Sequence, residues 1–305
     1  MGKRVSVDVD GQRLSLGNLD KVMYPAVPFT KAEVIDYYTR IAPVLLSHMS
    51  GRPLTMIRYP DGVEGNSFFE KRCPSHRPDF VTTITLGREG REKVVDHCDI
   101  DSLPALVWVA NLAALELHTT LAARPDTFTP TMVVFDLDPG APAAMAECSR
   151  VALLLRDVFD QLGIVGFPKT SGSKGLQVYV PLNVAGVTYE QTRGFALAMG
   201  QLLERVHPEL VVTNMAKDQR KGRVFVDWSQ NHLTKTTVCA YSLRARPRPT
   251  VSTPVTWDEV TATAEAGDDD HLVFEATDVL DRVDEHGDLF AETATLEQEL
   301  PDLGS

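Results

Sequence analysis

The chain has 305 residues, of which 43% are hydrophobic and 24% charged, enough to bury a full core as one large domain or two modest ones. Its most apolar stretch, "LPALVWVANLAALEL" at 103–117, is broken by Asn111 and Glu116 and is too short to cross a bilayer as a helix, so a membrane partner is not expected. A formal charge of −12 disfavours a polyanionic partner only if it is spread evenly, and it is not. Residues 255–305 hold sixteen Asp or Glu against one Arg, while "KDQRKGR" (217–223) and "YSLRARPRP" (241–249) concentrate cations. A basic groove on an acidic protein is therefore allowed, with solvated basic loops as the competing reading.

The first residues, "MGKRVSVDVDGQRLSL", alternate like a strand and lack the apolar core of a signal peptide. Four scattered cysteines, Cys73, Cys98, Cys148 and Cys239, suit a reducing compartment better than a disulfide framework. The expectation is a cytoplasmic protein. Cys73 with His76 and His97 with Cys98 offer four zinc-type ligands. The adjacent His97-Cys98 pair is poorly spaced for that purpose, because neighbouring side chains on a strand diverge.

Thr30 followed by Glu33 predicts a capped helix from about 31 to 48, stopped near Gly51 and Pro53. "LTMIRYP" predicts a strand, followed by a Gly-rich turn and the pair Phe68-Phe69. Further strands are expected around 80–100, and an apolar helix over 103–117. From there the pattern alternates. "TMVVFDLDPG" is a strand, "AAMAECSRVALLLRDVFDQLG" an amphipathic helix, and "IVGFPKT" a strand entering the small-residue loop "SGSKG". The strand "GLQVYVPL", the helix "YEQTRGFALAMGQLLERV", a basic loop and the strand "RVFVDWS" follow. Beyond Pro254 the chain turns acidic and weakly helical, with "DDD" at 268–270 in a turn.

Asp136 and Asp138 lie two apart on a strand, so both carboxylates point to one face, with Leu137 facing the core. Two acids closing so apolar a strand are costly unless neutralised, which makes them candidate ligands for a divalent metal. Capping of the following helix is the competing reading. Asp227 interrupts "VFVDW" in the same way, although a lone strand Asp is more often a turn or ladder partner. Three such carboxylates could hold two metal ions for phosphoryl or nucleotidyl transfer. In "SGSKG" the glycines let backbone N–H groups approach an anion, Ser171 and Ser173 offer hydroxyls, and Lys174 a point charge. Its spacing is not that of a Walker loop, and a plain hairpin turn is the alternative. Arg244 and Arg246, alternating on an extended segment, would place two guanidinium groups on one side to grip a triphosphate, or would be ordinary exposed arginines.

Taken together, "FDLDPG", "SGSKGLQVYVPL", "VFVDWSQN" and "TTVCAYSLRARPRPTVSTPVTWDEV" closely resemble the polymerase domain of bacterial ATP-dependent DNA ligase D, of the archaeo-eukaryotic primase superfamily. The likeness extends through "LGNLDKVMYP", "FFEKRCPSH" and "ANLAALELH", over most of the chain. The resemblance implies an α+β fold with a catalytic β-sheet flanked by helices. It also implies a template-dependent polymerase that fills short gaps at DNA breaks in non-homologous end joining, favouring manganese over magnesium and often preferring ribonucleotides. Gapped or broken duplex DNA and nucleoside triphosphates (NTP or dNTP) would be its substrates, with Ku and a ligase as end-joining partners at the bacterial nucleoid. On matching positions, Asp136, Asp138 and Asp227 would be the metal-binding catalytic triad. Ser171, Lys174, Arg244 and Arg246 would bind the incoming triphosphate, and His118 would help hold the nucleotide. Asn18, Lys21 and Lys31 match the pocket for the 5′-phosphate of a gap, and Phe68 and Phe69 match aromatics that stack at the template junction.

Two departures stand out. Nothing in these residues resembles a ligase or phosphoesterase module, so the expectation is a stand-alone polymerase, a single domain over 1–305 with 1–120 contacting DNA, 121–260 as catalytic core and 261–305 as an acidic C-terminal segment. Where the family's second motif usually reads "GLHV", with a histidine on the nucleotide phosphates, this chain has Gln177. An amide can donate to phosphate but carries no charge, so weaker nucleotide binding is expected, and Gln177→His should tighten it. Two rival readings remain: a haloacid-dehalogenase-type phosphatase, suggested by the Asp136–Asp138 pair, and a DNA-end binding module without catalysis.

Overall fold

The computed structural model describes residues 4–87, 93–267 and 269–301, and the chain divides into two compact units, each with its own sheet. Among these residues no helix is long and apolar enough to cross a membrane.

The first unit comprises the residues up to Thr120 with Thr236–Val251 and Glu275–Gly287. It opens with the hairpin Arg4–Val9 and Gln12–Gly17, turned at Asp10-Gly11, where both residues have positive φ, as a tight two-residue hairpin requires. Helix Lys31–Met49 begins at Thr30 with the reciprocal Thr30/Glu33 capping box, which contributes on the order of 1 kcal/mol. Strands Thr237–Val238, Ala114–Thr119, Leu54–Arg58, Val95–Cys98 and Thr83–Leu86 form a sheet in that order, with Phe68–Glu70 paired to Leu54–Arg58.

Two expectations fail in this unit. The apolar run 103–117 is not one helix. Helix Leu103–Asn111 ends, Ala113 takes a positive φ, and strand Ala114–Thr119 begins. Continuous hydrophobicity hides that break, because a buried helix and a buried central strand look alike in composition. Nor are the four cysteines all free thiols. Cys73 and Cys98 form a disulfide, brought side by side by a backbone hydrogen bond from Cys73 N to Asp96 O, and only Cys148 and Cys239 remain as thiols. With His97 Nδ1 at 2.9 Å from Leu54 O, the zinc reading has lost its thiolates and one imidazole nitrogen.

The second unit comprises Leu121–Lys235, Ser252–Phe274 and the residues from Asp288. Its five-stranded sheet runs Phe167–Thr170, Leu176–Pro181, Met132–Pro139, Val224–Asp227, Val211–Val212. All neighbours are antiparallel except the last pair. Val133, Phe135 and Leu137 alternate to one face with Leu176, Val178, Val180, Val224 and Val226, and pack with Leu155 and Phe159 of helix Met145–Leu162 and Phe195 and Leu203 of helix Tyr189–Val206. Burying one such side chain stabilises by roughly 1.5–3 kcal/mol, so register is tightly specified, since a one-residue slip would expose the whole set. The opposite face is thereby left to Asp136, Asp138, Gln177 and Asp227.

Helix Met145–Leu162 lacks a Ser, Thr, Asn or Asp at its N-cap, and its first N–H groups are met instead by Glu147, accepting from Ala144 N at 2.9 Å, and by Asp269, accepting from Ala146 N at 3.1 Å. The following helix is therefore capped without Asp136 or Asp138, which removes the capping explanation for that pair.

Candidate active site and phosphate pocket

In the second unit, cross-strand register sets Asp136 opposite Asp227 on one side and opposite Gln177 on the other, while Asp138 lies opposite Phe225 nearer the strand end. Gln177 donates from Nε2 to Asp136 Oδ1 at 3.0 Å. Gln230 Nε2 lies 3.5 Å from Asp136 Oδ2 and 3.3 Å from Asp227 Oδ2, an amide between two carboxylates. Asp227 also accepts from Ser229 N at 3.0 Å, so it caps the turn that follows its strand. The Ser229 hydroxyl donates to the same carboxylate and accepts from Lys235 Nζ.

Burial pushes the Asp136 carboxyl up to about 7, reinforced by the charges of Asp138 and Asp227 and opposed by the Gln177 hydrogen bond. Asp138 is also raised, by burial and then by Asp227, with the Arg220 charge acting the other way. Such repulsion among carboxylates is what a bound cation relieves, and an all-oxygen donor set suits magnesium or manganese. The chemistry of the three acids thus fits a divalent ion, although Gln177 and Gln230 take up their oxygens here. Among the described residues no three His, Cys, Asp or Glu side chains are gathered as a metal cluster.

The "SGSKG" loop is a tight turn that uses its own donors. Ser171 Oγ accepts from Ser173 N and Gly175 N, and Ser171 N donates to Gly175 O. Those N–H groups are spent on closing the loop, contrary to the expectation that they face an anion, while Lys174 stands exposed. A cavity of about 370 Å³ beside it is lined by Ser173, Lys174, Pro139, Pro142 and Met145. Gln177 is 3% exposed, buried against the acid it bonds.

In the first unit, His118 and Arg244 meet at a residue that sequence reasoning passed over. Glu116 accepts from Ala245 N at 3.0 Å and lies 2.9 Å from His118 Nε2 and 3.2 Å from Arg244 Nε. Burial would raise its pKa, but the His118 hydrogen bond and the Arg244 charge prevail and hold it at about 2. Arg246 departs from its expected geometry. Its N donates to Arg244 O at 3.0 Å, so the backbone turns there and the alternation of an extended strand does not apply.

Also in this unit, a cavity of about 400 Å³ is lined by Arg4, Ser15, Asn18, Lys31, Asn111 and Leu112. Lys31, 7% exposed, donates to Gly17 O at 2.7 Å and Asn111 Oδ1 at 2.9 Å. Burial, followed by Lys21, Arg4 and Arg58, lowers its pKa to about 8. Lys21 is engaged elsewhere, with Asp61 at 2.6 Å and Pro60 O. Arg4 and Asn111 were not anticipated, since only the hairpin pairing and the helix end bring them to Lys31. Phe68 and Phe69 are 56% and 60% exposed, so both rings of a dipeptide that a core would have hidden stand in solvent.

A mixed sheet with one face packed on helices and the other carrying strand-borne carboxylates fits a primase-polymerase type of domain. A family profile described as "LigD, primase-polymerase domain" matches residues 30–290. The chain is 43% identical over 257 residues to the multifunctional non-homologous end joining protein LigD of Mycobacterium bovis, covering 82% of this chain and 34% of that protein. With LigD of Mycolicibacterium smegmatis it shares 42% over 282 residues, 92% of this chain and 36% of the relative. The bifunctional LigD of Bacillus subtilis is 32% identical over 278 residues, 90% and 43%. A solved structure, the polymerase domain of Mycobacterium tuberculosis ligase D in complex with DNA, superposes with a TM-score of 0.86 at 39% identity, covering 94% of this chain and all of that one. This chain belongs to the LigD primase-polymerase domain family. It spans about a third of the length of the mycobacterial relatives it matches. This placement does not favour the phosphatase reading.

Proposed function

We propose that the chain is a DNA-templated nucleotidyltransferase that extends primers and fills short gaps at breaks during non-homologous end joining, often with ribonucleotides. The observation that carries this reading is the placement of Asp136, Asp138 and Asp227 on one sheet face, opposite the apolar face that packs on helices. Asp136, Asp138 and Asp227 would hold divalent ions, manganese or magnesium and two in number. Bound there, such ions supply activation of a primer 3′-hydroxyl and neutralisation of triphosphate charge.

The chain's own residues do the rest. Gln177 and Gln230 orient the carboxylates through their amides. In the second unit Lys174, with Ser171 shaping its loop, would attract the nucleoside triphosphate; in the first, His118, Arg244 and Arg246 are the nucleotide-binding candidates, the first two held by Glu116. Lys31, with Asn18, Arg4 and Asn111, would take the 5′-phosphate of a gapped duplex, Lys21 joining them on release from Asp61, and Phe68 and Phe69 would stack on bases. Ku and a ligase are the partners this role calls for, at the bacterial nucleoid.

Primer extension on a gapped duplex with manganese, native protein against Asp136→Ala, tests the reading. Extension should fall at least a hundredfold. Equal extension by both proteins would refute the site, and binding of the gap without extension by native protein would favour an end-binding module.

A further inference from the structure

Lys169 has no part in the reading above, yet it is 1% exposed and lies on the functional face of the catalytic sheet. A buried ammonium is strongly unfavourable unless its surroundings compensate it. Register shows where it sits. Lys169 is opposite Gln177, Gln177 opposite Asp136, and Asp136 opposite Asp227. Four strands thus contribute one continuous line of polar side chains, positive at one end and negative at the other.

The contacts along that line have a direction. Lys169 Nζ donates to Ser252 Oγ at 2.6 Å, and that hydroxyl donates onward to Thr170 O at 2.9 Å. The ammonium also lies 5.4 Å from the centre of the Tyr179 ring. The Tyr179 hydroxyl is 3.5 Å from Gln177 Oε1, and Gln177 Nε2 donates to Asp136 Oδ1 at 3.0 Å. The amide therefore presents its oxygen to the tyrosine and its NH2 to the acid. A cation over the ring makes the phenol a better donor, which favours this orientation over the flipped one.

We propose that Lys169 is a positioning residue of the active site: its buried ammonium fixes the Gln177 amide toward Asp136 and supplies on that side of the acidic row the positive charge that an amide at 177 lacks. The proposal rests on the assignment of Asp136 to the active site. Lys169 acts through Gln177 and the local field, without touching substrate. A unit charge two strand spacings away, about 10 Å at an effective dielectric of about 20, changes affinity for a charged ligand by on the order of tenfold.

The test is a double-variant cycle read by equilibrium binding of ATP with manganese, by KM and kcat in gap filling, and by thermal unfolding. Lys169→Met should weaken ATP binding about five- to tenfold and raise KM more than it lowers kcat, while Lys169→Arg should stay within about twofold of native protein. Gln177→His should tighten ATP binding in both proteins but by a clearly larger factor in the Lys169→Met background than in native protein, where one charge is already present. Gln177→His that tightens ATP equally in both backgrounds, or Lys169→Met that melts like native protein and binds ATP equally well, overturns the inference. A purely structural lysine would lower the melting temperature without rescue from position 177. Should Lys169→Met not fold, the cycle is read with Lys169→Gln, which keeps a donor for Ser252: Gln177→His that tightens ATP more in that background than in native protein supports the inference, and equal tightening in both overturns it. An Asp136→Ala protein that still extends primers would instead refute the active-site reading itself, independently of Lys169.

Discussion

Asp136 is held against its own chemistry: burial and two neighbouring carboxylates push its pKa to about 7, well above the usual carboxylate range. Between pH 4 and 7 the folded protein therefore binds a proton at this site that the unfolded chain has released. Stability must fall as pH rises through that window and level off above it. Asp136→Asn removes the liability and keeps one oxygen to accept from Gln177 Nε2, while the Gln230 amide must turn its oxygen toward the new NH2. In chelator at pH 8, urea unfolding should find Asp136→Asn more stable than native protein by on the order of 2 kcal/mol, with the difference vanishing near pH 4. A variant less stable than native at pH 8 would mean that the carboxylate is already compensated without metal. Manganese should reverse the order at pH 8, stabilising only the native protein.

Elements, more than single residues, decide what could be read beforehand. Helices Lys31–Met49 and Tyr189–Val206 carry their own start signals in Thr30/Glu33 and Thr188/Gln191, and the acidic strand advertised itself through carboxylates in an apolar run. Lys169, Gln230 and Glu116 did not, because each matters only through register or a turn that brings distant strands together. The run 103–117 hides its break for the complementary reason, that its two elements are both buried and differ only at the Ala113 turn. Closure of the "SGSKG" loop is likewise a property of its neighbour. A Cβ on Gly175 would stand 2.3 Å from Leu137 O, within the backbone of the strand that carries Asp136 and Asp138. Gly175→Ala must push that strand and loop apart, costing about 1–3 kcal/mol and lowering gap filling at least tenfold. Lys174→Ala, at an exposed tip, should leave the melting temperature within about a degree and raise only the nucleotide KM. Equal melting temperatures for Gly175→Ala and native protein would show that the strand yields without cost.

At the scale of the whole molecule, a net charge of −12 must coexist with the duplex binding proposed above. Acidic residues crowd 255–305, and that stretch is divided between the two units. Cations are instead gathered locally, as where Lys21, Arg4 and Arg58 all act on Lys31. General attraction to a polyanion is weak under such a distribution, so affinity should depend on a few discrete phosphate contacts. Counterion release then sets the expected magnitude: log Kd against log salt should have a slope of about 2 to 4, near 0.9 per phosphate. Fluorescence anisotropy on a gap with a 5′-phosphate should give a slope about 1 steeper than on the same gap ending in a hydroxyl. Lys31→Met or Arg4→Ala should erase that increment while leaving the hydroxyl substrate unaffected. Because Lys31 titrates at about 8, its positive charge is present below that pH and lost above it. Preference for the phosphorylated gap should accordingly shrink between pH 7 and 9 in native protein and stay constant in Lys31→Met. Identical slopes for the two gaps, or a preference that Lys31→Met leaves intact, would mean that the cavity beside Lys31 is not where the phosphate binds.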